Sequence, residues 1–535
     1  MVNVTEVQAK KPSNGKVSEG LSGSENVACM ERGVRNLGGT LMALVVKTGK
    51  AGQSKKRKAD GNIRDSDSFI VLRERESRSH GEGMDRNMQP VKETSAGHVG
   101  SEIRWQTSLR GIAKKATENK THRFGNLYQL INDESLHASF YDLKKKAAAG
   151  IDNITAKEYA KELESNLGKL EEQLKSKQYR AKLVRRVYID KGNGKKRPLG
   201  IPAVSDKIVQ RAAAKILEAI YEQEFSGHSY GYRPHTGAQK AVKELTHELN
   251  FGKYSYIVEA DIRGFFDAID HDWLIRMLEL RIADRAFLRL IKKWLKAGVL
   301  DIDGMVKHSV TGCPQGGVIS PILANIYLHY ALDLWFEKRV KRSCKGMNYI
   351  CIYADDFVCA FQYKQDAVQF YRAVGERLKK FGLDLAQEKT NIISFSRFRK
   401  EENTKFEFLG FEFRWGVTRK GEDIIKRRTA PGKLRKSLAA FTEWCREMRN
   451  KRLRRLFPKL IAKLRGYNNY YGLIGNYDSL TKFHEQVKRI LYKWLNRRSQ
   501  RRSFNLDEFT ACWKRFGVPE PRIVESDLVQ LHFDF

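Results

Sequence analysis

Residues 349–360 read YICIYADDFVCA, so two adjacent acids, Asp355 and Asp356, stand in the middle of an otherwise apolar run. Few folds accommodate that. Strand-forming residues on both sides describe a hairpin with buried arms and carboxylates at its tip. Acids beside a buried strand are costly unless a cation compensates them. A divalent metal is the natural compensation, because Mg²⁺ takes one or two carboxylates together with substrate phosphates. Taken alone, an Asp-Asp pair is more often an ordinary polar turn. A second segment changes the balance: residues 257–267, IVEADIRGFFD, read as a buried strand ending in an acid. If the two strands are neighbours, Asp261, Asp355 and Asp356 converge. Three converging carboxylates hold two metals, which activate an attacking hydroxyl and stabilise a leaving phosphate. In-line phosphoryl transfer needs little else beyond positioning and charge.

The balance of charge points to the substrate. Lys and Arg number 99 and Asp and Glu 63, a formal net charge of +36 in 535 residues. Such an excess favours a polyanionic partner, most simply nucleic acid. No apolar run approaches the roughly 20 residues a membrane span needs. Seven scattered cysteines contain no CxxC, which argues against a disulfide scaffold and a zinc ribbon. The expectation is an intracellular protein with no membrane partner, in the cytoplasm and nucleoid-associated in a bacterium.

Residues 1–100 hold one aromatic, Phe69, and are expected to be a disordered extension, or a stretch upstream of a start at Met84 or Met88. Beyond Trp105 the pattern alternates. Helical spacing covers residues 123–143 and 155–180. Residues 184–189 and 197–201 read as strands about a Gly-Asn-Gly turn. Long helices are expected at 206–225, 272–298, 320–341 and 365–381, and a strand pair at 406–415. From Lys426 to Arg515 there are 25 Lys and Arg against 6 Asp and Glu, in a helical pattern interleaved with Trp444, Tyr467, Tyr470, Tyr471, Phe483, Tyr492 and Trp494. A basic face over a packed core fits RNA or duplex binding, although the same aromatics serve equally well as core alone.

At this point the sequence resembles a known family. YADD (353–356) with EADIRGFFDAIDH (259–271) resembles the palm of a reverse transcriptase. RFGNLYQLI and AAAGIDNIT (147–155) resemble the N-terminal motifs of group II intron reverse transcriptases. KGNGKKRPLGIP (191–202) and FSGHSYGYRP (225–234) resemble their fingers. GCPQGGVISPILANIYLH (312–329) resembles the nucleotide-binding helix, and GLDLAQEKT (382–390) and FEFLGFEF (406–413) complete the series. LRGYNNYYG (464–472) and FHEQVKRILYKWLNRRSQRR (483–502) resemble the maturase, or thumb, domain of group II intron-encoded proteins. In GIDNIT, Asn153 stands where glycine is common. No Cys/His cluster of the HNH endonuclease kind is present, so target-strand cleavage by this chain is not expected.

The resemblance implies a fold and a set of roles. The fold is α+β, a right-hand polymerase with fingers and palm at 101–415, an all-helical thumb/maturase domain at 416–520 and a short tail at 521–535. Asp261, Asp355 and Asp356 hold two Mg²⁺ ions, with Mn²⁺ as a substitute. Lys191 and Arg197 grip the incoming triphosphate, as suits an ammonium and a guanidinium facing polyphosphate. Gln315, before two glycines, lies where backbone and amide approach the nucleotide. Phe266 is the floor under the sugar, a role Phe265 fills equally well. Lys389 is a general acid for the leaving pyrophosphate. Arg233 braces the fingers or a template phosphate. Cys313, Cys351 and Cys359 read as small core residues. The implied partners are the intron RNA, an RNA template with a DNA primer, dNTPs and a DNA target. The rivals are a splicing-only maturase with an inactive polymerase and a reverse transcriptase of a defence system.

Overall fold

In the computed structural model, which describes residues 95–190, 196–301, 303–307, 311–398 and 404–525, the acid-tipped hairpin forms. Of the disordered extension expected at 1–100, residues 1–94 lie outside the described residues, as does Lys191, whereas residues 95–100 open a helix, Ser95–Glu118. The strands are β1 (Val184–Asp190), β2 (Lys196–Ile201), β3 (Tyr256–Asp261), β4 (Val299–Leu300), β5 (Val306–Lys307), β6 (Asn348–Tyr353), β7 (Asp356–Phe361), β8 (Asn391–Ser394), β9 (Lys405–Phe408), β10 (Phe411–Val417) and β11 (Asp423–Thr429). They make three sheets, ordered β2-β1-β4-β5, β6-β7-β3-β8 and β11-β10-β9. In the central sheet every pairing is antiparallel.

Against these sheets pack α1 (Val204–Tyr221), α2 (Ala238–Phe251), α3 (Ser320–Leu328), α4 (Lys364–Lys379), α5 (Pro431–Met448), α6 (Leu453–Tyr471), α7 (Tyr477–Leu495) and α8 (Leu506–Arg515). Both faces of the central sheet are covered, which explains why its strands read as continuous apolar runs. Val258, Ala260, Ile350, Ile352, Phe357 and Cys359 face one core, shared with α1, α3 and α4. Ile257, Tyr349, Cys351, Val358 and Ala360 face a second core, shared with α2, β9–β11 and the C-terminal helices. Cys313, Cys351 and Cys359 are buried core residues, as expected. Aromatic pairs knit the second core: Phe406 stacks on Phe413 at 4.7 Å and Tyr467 on Phe483 at 3.6 Å. Such pairs contribute roughly 0.5–1.5 kcal/mol each beyond their burial.

Two expectations are corrected. The helical stretch at 272–298 is two helices, His271–Glu279 and Arg285–Leu295. Between them Ile282 leaves the helix to bridge Phe124, and the Asp284 carboxylate accepts from Ala286 N and Phe287 N to start the next helix. The boundary at 415 also fails. Residues 423–429 form β11, antiparallel to β10, so the helical part begins at Pro431 rather than 416. The run Lys426-Arg427-Arg428 masks a strand because its one inward cation, Arg427, is neutralised by Glu525 at 2.5 Å. Among the described residues no helix is long and apolar enough to cross a membrane.

Asn476 ties β11 to the helices. It is 1 % exposed, donates to Thr429 Oγ1 (2.9 Å) and Tyr471 O (2.8 Å), and accepts from Thr429 N (2.7 Å). Asn476→Ala strands those buried groups and should lower stability by about 2–4 kcal/mol, read by urea unfolding.

Candidate active site

The register of the central sheet sets Asp261, the last residue of β3, directly opposite Asp356, the first of β7. Asp355 precedes it in the hairpin turn, and its carbonyl accepts from Ile262 N at 3.2 Å. Asp261 is held from the other side, its carbonyl accepting from Ala386 N at 2.8 Å. Ala354 completes the turn at φ +56°, a left-handed conformation that non-glycine residues adopt at some cost. Gly231 lies so close that a Cβ there would stand 2.6 Å from Ala354 N. Its carbonyl accepts from the buried Asn325 side chain of α3 at 2.8 Å. The GYRP loop thus braces the acid-bearing turn, and any side chain at 231 would displace it.

The electrostatics follow from this crowding. Burial pushes the Asp356 carboxyl up to about 7, aided by the charges of Asp261, Asp355 and Glu259, while Lys433 on the first turn of α5 pulls it back. Asp355 is raised by burial and by Asp261, against Arg197 and Lys389. The Lys389 ammonium donates to Asp261 Oδ2, and that bond raises its own pKa. Lys389 therefore stands on a carboxylate and holds its proton more tightly, which weakens it as an acid. Among the described residues no three His, Cys, Asp or Glu side chains are already drawn together closely enough to hold a metal ion. The donors are all carboxylate and mutually repelling, chemistry that suits a hard divalent cation.

Arg197 and Gln315 meet, Arg197 Nε donating to Gln315 Oε1 at 2.9 Å. The Gln315 carbonyl accepts from Gly200 N at 2.5 Å, so the Pro-Gln-Gly-Gly turn is pinned to β2. Gly316, at φ +108°, passes the Gly200 carbonyl where a Cβ would lie 2.5 Å away. Phe266 is 6 % exposed and Phe265 2 %, both packed in the core. Above Phe266, edge-on at 6.1 Å, stands Tyr232, which is 47 % exposed and was not singled out from the sequence. Arg233 serves as an internal brace, ion-paired with Glu222 at 3.0 Å and donating to Ser226 O and Ser229 O. Asn153 sits at φ +55°, which explains how asparagine replaces glycine there.

Comparison with known proteins now decides the family. Residues 189–413 match the family described as reverse transcriptase (RNA-dependent DNA polymerase). The chain is 31 % identical over 467 residues to the group II intron-encoded protein LtrA of Lactococcus lactis subsp. cremoris, covering 70 % of this chain and 75 % of that one. The chain belongs to the group II intron-encoded reverse transcriptases. It is similar as well to protein YkfC of Escherichia coli, at 31 % identity over 62 % of this chain and 94 % of that protein. A protein in the cob intron of Schizosaccharomyces pombe is 42 % identical over 32 % of this chain and 21 % of its own length. This group II intron reverse transcriptase and maturase is accordingly an RNA-directed DNA polymerase with the fingers and palm of that fold.

One residue missed from the sequence offers a test. Burial pushes Glu259, on β3, up to about 7 from 4.5, although its carboxylate accepts from Glu407 N at 2.8 Å. A folded-state pKa raised in this way stabilises below pH 4.5, and that contribution is lost as pH climbs to 7. Without metal, stability should therefore fall between pH 5 and pH 8. Glu259→Gln should remove roughly 3 kcal/mol of that fall, measured by urea unfolding in EDTA at the two pH values.

Proposed function

We propose that this reverse transcriptase makes DNA at Asp261, Asp355 and Asp356, and that the helical part from Pro431 onward is a thumb/maturase domain that grips the parent intron RNA. The observation that carries the first half is the register of Asp261 against Asp356 beside Asp355, three repelling acids at the end of apolar strands. In the reaction the primer 3′-hydroxyl oxygen attacks the α-phosphorus of a dNTP, an O–P bond forms, and pyrophosphate leaves. The three carboxylates would hold two Mg²⁺ ions, which supply activation of the hydroxyl and neutralisation of the leaving phosphate.

The other side chains position the substrates. Arg197, oriented by Gln315, offers its guanidinium to the triphosphate, and Lys191 is assigned to the same phosphates. Phe266 and Tyr232 form an aromatic floor and rim beside the sugar. Lys389 balances Asp261 and, once displaced, is free to face the pyrophosphate. RNA template, DNA primer, dNTPs, intron RNA and a DNA target are the proposed partners, in the cytoplasm and close to the nucleoid. The charge between Lys426 and Arg515 supports binding by phosphate contacts and RNA shape, with affinity falling steeply as salt rises.

Primer extension on an RNA template with dNTPs and Mg²⁺ tests the reading. The wild type should extend, and Asp355→Ala with Asp356→Ala should lose at least about a thousandfold in rate, as expected when charge stabilisation of the transition state is removed. Failure of both proteins to extend, with intron RNA still bound and spliced, would leave a maturase without a polymerase.

A further inference from the structure

A second charged concavity lies away from the carboxylates. It encloses about 1310 Å³ between α2, the β10–β11 hairpin and the first turns of α5 and α7. None of the candidate catalytic carboxylates, nor Arg197 or Gln315, lines it. Its α2 wall ends at Asn250 and Phe251, which lead into the start of β3, the end opposite Asp261. Its walls carry seven Lys and Arg against two carboxylates, Asp478 and Glu525. Arg427 is paired with Glu525 and Arg428 with Glu412 at 2.8 Å; the other five cations form no ion pair among the described residues.

One cross-strand pair of the hairpin works against its stability. Arg414 on β10 stands directly opposite Lys426 on β11. Like charges in that relation are destabilising. Gly416 makes room for the Lys426 chain, since a Cβ there would lie 2.6 Å from Lys426 Cδ. A trough of about 1310 Å³ whose walls carry five cations unpaired among the described residues has the room and the charge for successive phosphates. Phe251, 63 % exposed and tilted against His247 at 4.9 Å, lies on the rim. Two helices, α5 and α7, also begin at the trough, adding positive ends of their dipoles.

We propose that this groove binds the phosphate backbone of the intron RNA, with Arg414, Arg419 and Lys426 as its principal contacts, separately from the template and primer. The proposal rests on the maturase reading and gives it a location. A polyphosphate backbone suits it better than a protein segment, whose acids would have to match five cations that are unpaired among the described residues.

The test compares two probes on the wild type and on Arg414→Gln with Arg419→Gln and Lys426→Gln. One probe is a transcript of the intron that encloses the reading frame; the other is a short RNA template annealed to a DNA primer. Melting temperature and the rate of primer extension serve as folding controls. The expected result is an affinity for the intron transcript at least about tenfold weaker in 150 mM salt, with a log–log salt slope shallower by about two to three, as three lost phosphate contacts require. Primer-template affinity and extension rate should stay within about twofold, since those probes engage none of the three residues. Unchanged binding of the intron transcript would overturn the proposal and leave the groove to another partner, a protein among them. Equal losses on both probes would also overturn it, by making the groove part of the template path. If the wild type bound the intron transcript no better than an unrelated RNA, the maturase reading would fall and the groove's role with it.

Discussion

Repulsion among three carboxylates at the end of a buried sheet is the constraint on which the rest of this molecule depends. Asp261 and Asp356 are forced opposite one another by strand register, and Asp355 by the turn between β6 and β7. Bringing acids together in a part-buried place opposes folding, so the surroundings must hold the backbone rigidly. They do so from three directions. Ala386 N and Ile262 N fix the two acid-bearing segments, the Gly231 loop abuts the left-handed Ala354, and Asn325 holds that loop to α3. The same α3 follows the turn that presents Gln315 to Arg197, so the Gln315 turn and the acid-bearing turn share one support.

Much of this was legible in the sequence, for a physical reason. A sheet covered on both faces gives unbroken apolar strands, and acids within such strands stand out at once. The arms of the hairpin and the strand before Asp261 therefore fell where their residues predict. The start of α3 was equally plain, because Ser-Pro is a strong first-turn signal. The α1 helix declared itself by the wide apolar face of Ile208, Val209, Ala212, Ile216 and Leu217.

What stayed hidden depended on partners distant in the chain. The strand at 423–429 looks like part of a basic helix until Glu525 is seen to neutralise Arg427. Gly231 and Ala354 are 123 residues apart, and nothing local announces that their backbones touch. Nothing local sets Glu259 apart in its strand, yet burial makes it as proton-retaining as Asp356. The aromatics of the basic tail resolve in favour of packing. Tyr467, Tyr471 and Phe483 are buried, while the guanidinium groups of Arg449 and Arg497 stand over the Trp494 ring at 5.3 Å and 5.7 Å. Charge is thus carried outside an aromatic core, without loosening the packing beneath.

The central claim is that the three acids gather in order to share divalent cations. Electron paramagnetic resonance of free Mn²⁺, titrated into the protein with primer-template and an unreactive dNTP analogue, measures this directly. The account predicts that the wild type withdraws Mn²⁺ from solution and that Asp261→Asn, still folded and still holding primer-template, withdraws far less. Equal Mn²⁺ uptake by the two proteins would contradict it.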